Sequence, residues 1–78
     1  LNLFNSPFVL EEAERLARRV RSEAGEKREA QIHRAYEITL GRPPAESEKQ
    51  ASLAAVNQHG LDTLCRALFN SSEFLFLP

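Results

Sequence analysis

Three isolated glycines, the middle one followed closely by two prolines, cut this chain into pieces of helical length. Gly25, Gly41 and Gly60 are the only glycines, and Pro43 and Pro44 stand just behind the second. Glycine readily takes the left-handed conformation that closes a helix, and proline lacks the donor needed to continue one. Between these stops the apolar residues recur at three- and four-residue steps, the period of an amphipathic helix. Such punctuation confines the chain to short helices joined by tight turns.

The first helix starts at Ser6, a good N-cap, with Pro7 at the first helical position where its fixed φ is already helical. Val9, Ala13, Leu16, Val20 and Ala24 make one stripe, and Gly25 stops it. A second helix runs from about Lys27 to Leu40. Its apolar arc of Ile32, Ala35, Tyr36, Ile38 and Leu40 is broad enough to predict the most buried helix of the set. A third, from about Ala45 to Gln58, has only Leu53 and Val56 as large anchors among alanines and should be the weakest. The fourth, about Leu61 to Phe69, places Leu61, Leu64, Cys65, Leu68 and Phe69 on one face.

Seventy-eight residues allow one small domain. A chain of this length buries only about 60% of its unfolded surface, so its margin of stability is narrow. With 42% apolar and 27% charged residues it has the composition of a soluble globular domain and not of a disordered one. No run approaches the roughly 18 apolar residues of a membrane span, and no basic-then-apolar leader opens the chain. A lone Cys65 makes no internal disulfide and leaves the redox compartment open.

The ends carry a second pattern. Leu3-Phe4-Asn5-Ser6 returns as Leu68-Phe69-Asn70-Ser71. In both places an apolar pair runs into Asn-Ser, read as the end of one helix and the start of the next segment. Leu1 to Phe4 would then be the stump of a preceding helix, and the chain a fragment of a larger protein. The apolar residues left over, Leu3 and Phe4 at one end and Phe74, Leu75 and Phe76 at the other, are the candidate interface. They would meet the rest of the parent chain or another protein, with room for a weak homodimer; the alternative, of equal standing, is that they fold back and complete the bundle.

Chemistry is harder to find. His33, His59 and Cys65 lack the close pairing that zinc sites use, so no metal is expected. A Cys65 set among leucines makes a poor thiolate, and nothing pairs it with a base. The single glycines form no phosphate-cradling loop, and no cofactor is implied. No catalytic residue is assigned. An alternative makes the chain part of an enzyme site completed elsewhere, with Arg42, His33 and Glu73 as its polar candidates; Arg42 is otherwise expected to bond the free carbonyls ending the second helix. A further alternative reads Arg15, Arg18, Arg19 and Arg21 as a weak nucleic-acid face. Against it stand a net charge of -1 and the glutamates Glu11, Glu12, Glu14 and Glu23 on the same helix, so no nucleic-acid partner is expected.

Three ordered motifs carry a resemblance. They are Leu-Phe-Asn-Ser-Pro-Phe-Val at Leu3 to Val9, Arg-Ala-Tyr at Arg34 to Tyr36 leading into Gly41-Arg42-Pro43-Pro44-Ala45 with Glu46 and Glu48, and the stretch from Leu64 to Phe76. Together they resemble the C-terminal region of a planctomycete domain family of unknown function. The resemblance implies a place in large, exported bacterial proteins that often carry a cytochrome-c-like haem domain. An extracytoplasmic location follows from it, and no activity does. The haem attachment motif Cys-x-x-Cys-His is absent from this sequence.

The sequence therefore predicts an all-α, compact bundle of four main helices with an apolar C-terminal tail. Its core should draw on Val9, Leu16, Val20, Ile32, Tyr36, Leu40, Leu53, Val56, Leu61, Leu64, Leu68 and Phe69. The expected role is that of a non-catalytic module for intramolecular packing or protein interaction.

Overall fold

A computed structural model describes residues 6–71. They form four helices: α1 (Pro7–Ala24), α2 (Arg28–Leu40), α3 (Glu46–His59) and α4 (Leu61–Ser71). The all-α bundle expected from the punctuation is the observed fold. The apolar tail lies outside the described residues, as does the proposed helix stump at residues 1–4.

Each boundary has a local cause. Ser6 Oγ accepts from the Val9 N–H at 3.2 Å, and Pro7 opens α1. Gly41 ends α2 with φ 72° and ψ 17°, a left-handed cap whose N–H donates to the Glu37 carbonyl at 3.0 Å. Of the echo at the ends, Ser6 is the described residue of the first copy, and it differs from its counterpart. Ser6 caps a helix from outside, whereas Asn70 and Ser71 continue α4, and among the described residues only glycines have positive φ. Asn70 does not take the left-handed closing conformation expected of it, and α4 runs through Ser71, the last described residue.

The packing is that of a four-helix arrangement in which α1 and α3 lie on a diagonal and barely meet. The most extensive seam joins α1 to α4, the first helix to the last. Val20, Ile32 and Cys65 sit at the centre, fully enclosed, with Ala13, Ala17 and Ala35 allowing the helix backbones to approach. α2 buries five of its 13 residues and α3 only Ser52 and Val56 of its 14, matching their expected rank.

Three expected core residues are only partly buried: Leu40, Leu53 and Phe69. Leu40 is the last residue of α2, next to the exposed turn. Leu53 sits at the open edge where α3 meets Lys27 and Arg28. Phe69 forms a groove wall near the end of α4. Leu40 and Leu53 pack against the core, which also draws on Ala13, Ala17, Ala35 and Cys65, whose small volume suits close helix contact.

Candidate functional site

The Arg-Ala-Tyr segment of α2 is a three-way joint. Consecutive helical residues point about 100° apart, so these three address three neighbours. Arg34 reaches α1, where its Nε lies 2.6 Å from Glu23 Oε1; its Nη1 also lies 3.4 Å from Glu37. Ala35 is fully buried in the centre. Tyr36 reaches α3, where its hydroxyl and that of Ser52 share a buried hydrogen bond of 2.8 Å. Glu23 additionally accepts from Arg19 at 2.8 Å, and the two arginines, Arg19 first, hold its carboxyl below the usual range.

The Gly-Arg-Pro-Pro turn is closed by a second device. Arg42 lays its guanidinium fork on Glu48, with Nη1–Oε1 at 2.7 Å and Nη2–Oε2 at 2.9 Å. The same Glu48 Oε1 accepts the Ala45 N–H at 2.8 Å, satisfying a donor at the start of α3. Alanine has no side-chain acceptor to return that bond, so the arrangement is half of a capping box. The fork, seconded by the Ala45 amide, holds the Glu48 carboxyl down at about 2. Arg42 thus bonds forward into α3, besides a 3.1 Å contact to the Pro43 carbonyl, and not back onto the carbonyls of α2 as expected. Pro43 and Pro44 stiffen the turn and bring the fork within reach of the glutamate.

The arginines of α1 each have a carboxylate partner. Arg15 pairs with Glu12 at 3.2 Å, Arg18 with Glu14 at 3.9 Å and Arg19 with Glu23, while Arg21 crosses to Asp62 of α4 at 3.3 Å. Further bonds tie α2 to α3: Arg28 to Asn57, and Lys49 to Glu29 at 3.0 Å.

His33 is exposed on α2, 3.5 Å from Glu37, and borders a shallow cleft with Glu29, Pro44, Glu46 and Lys49. Arg42 is committed to Glu48, and Glu73 lies outside the described residues. Cys65 is fully buried, and desolvation, aided by Asp62, pushes its thiol up to about 12. Such a thiol stays protonated and unreactive at neutral pH. Among the described residues no three His, Cys, Asp or Glu side chains gather to hold a metal ion, and no helix is long and apolar enough to cross a membrane.

Of the interface candidates, Leu3, Phe4, Phe74, Leu75 and Phe76 all lie outside the described residues. What the structure does place at that end is Phe8, 61% exposed, whose ring meets Phe69 edge-on at 6.0 Å. Beside Phe69 runs a groove of about 210 Å³ lined by Leu16, Ile38 and Thr39, with Glu12, Arg15 and Arg19 at its rim.

Sequence reasoning missed the buried polar positions. Ser52 lies one turn before Val56, and Gln31, Ala35 and Thr39 follow one another at four-residue steps. Periodicity alone puts them inward; only their polarity argued otherwise. Gln31 donates to the Gly25 carbonyl at 2.7 Å, and Thr39 to the Ala35 carbonyl at 2.7 Å.

These features define a small helical module whose most distinctive side chains join one helix to another. The model of the family described as PSD1, protein of unknown function (DUF1553), matches residues 1–56, and the chain belongs to that family. The match takes in α1, α2 and most of α3. No curated protein and no solved structure matches the chain.

Proposed function

We propose that this chain is a non-catalytic helical module that packs against, or positions, other parts of a larger extracytoplasmic bacterial protein. The observation that carries this reading is the use made of the motif residues. Arg34, Tyr36, Arg42 and Glu48 are polar residues of the motifs that carry the resemblance, and each is engaged in holding helices or the turn between them together. A domain whose distinctive polar groups serve its own geometry is suited to presenting a surface of fixed shape. The exposed Phe8 beside a half-buried Phe69 supports a contact role at that end of the bundle. The resemblance to a planctomycete domain family of unknown function implies a context of large proteins that often carry a cytochrome-c-like domain: haem chemistry would belong to another part of the parent, and this module would help hold the parts in place.

The alternatives draw less support. A shared enzyme site would use Arg42 and His33, yet the Arg42 fork is occupied by Glu48. A nucleic-acid face would use arginines that here already have carboxylates beside them.

Light scattering tests the proposal. The 78-residue chain is measured alone over a range of concentrations, then mixed with the remainder of its parent produced separately. A mixed complex of defined mass is expected. Two species that keep their separate masses, with the chain monomeric throughout, would overturn the packing role.

A further inference from the structure

We draw no further inference here: the strongest candidate, the apolar groove between α1, α2 and the end of α4 lined by Leu16, Ile38 and Phe69, carries nothing because nothing among the described residues shows what covers it.

Discussion

The seam between α1 and α4 and the seam between α2 and α3 are built on different physics. The first closes on apolar side chains, with Ala13, Leu16 and Ala17 of α1 and Leu61, Leu64, Cys65 and Leu68 of α4 among the buried core, and the exposed Arg21–Asp62 ion pair crosses it. The second sets the apolar arc of α2 against an α3 that buries only Ser52 and Val56, and adds directional bonds: Tyr36 to Ser52, Arg28 to Asn57, Glu29 to Lys49, and the Arg42–Glu48 fork across the turn. Apolar burial is non-directional and scales with area, so it supplies stability. Hydrogen bonds add less net energy but fix one geometry over others. The contrast teaches that the α1–α4 seam is held mainly by apolar burial, and that directional bonds add a defined geometry to the burial of Ile32, Tyr36 and Val56 at the α2–α3 seam.

The largest expected effect breaks the first seam. Leu64→Ala removes a side chain only 5% exposed and should cost between about 2 and 5 kcal/mol, the range for a buried leucine that leaves a cavity. A domain this small has a total stability near the low end of the usual range, about 5 kcal/mol. Urea unfolding should therefore find the variant close to unfolded. Leu53→Ala, at the half-buried edge of the second seam, should cost only about 1 kcal/mol. Equal losses at the two positions would mean that the seams do not differ in the way argued here.

Next in size is the buried hydroxyl pair. Tyr36→Phe leaves Ser52 Oγ without its partner inside the protein and should cost about 1–2 kcal/mol. Ser52→Ala strands the tyrosine hydroxyl in the same way. The double variant should be less destabilised than the sum of the two, because neither polar group is then left alone. Additive losses in thermal unfolding would show that the bond contributes nothing beyond its separate groups.

Gly41→Ala isolates the backbone. Beyond its two chain neighbours, nothing among the described residues lies within 4 Å of an added Cβ, so space is not the obstacle. The left-handed φ of 72° is, and it should cost about 1 kcal/mol. An unchanged melting temperature would mean that the turn relaxes to another conformation, and the Arg42–Glu48 fork would then be expected to loosen with it.

These sites also mark the line between what was legible in the chain and what was not. Helix boundaries could be read because Ser6, Pro7, Gly41 and the proline pair act locally, through φ and a missing donor. Most of the large core residues could be read because periodicity reports which side faces inward; Leu40, Leu53 and Phe69 are only partly buried because they sit at a helix end or an open edge, which periodicity does not report. Ser52, Gln31 and Thr39 could not be read, because a polar residue on an inward stripe is tolerated only when a partner waits there. That partner is set by three-dimensional packing. Arg42 failed for a related reason: its position after α2 pointed to the carbonyls behind it, but the turn's path brings Glu48 closer. Asn70 shows the reverse: a residue that readily closes a helix in the left-handed conformation stays helical within α4.

The smallest effect separates charge from geometry at the second seam. The Glu48 carboxyl is held at about 2 against an ordinary 4.5, chiefly by the Arg42 fork. A carboxyl lowered on folding adds stability that is fully present above its unfolded value and is lost as pH falls through the folded one. The window therefore runs from about 4.5 down to about 2. Because the pair is exposed, solvent and salt weaken it, and the effect should be a modest shift in melting temperature. Glu48→Gln keeps an acceptor for the Ala45 amide but removes the charge. The gap between wild type and variant should stay constant above pH 4.5, narrow steadily toward pH 2, and shrink further in high salt. A gap that persists unchanged to pH 2 would assign the contribution of Glu48 to the shape of its bonds. In that case the fork would hold the turn by geometry, as Tyr36 and Ser52 hold the helices, with charge adding little.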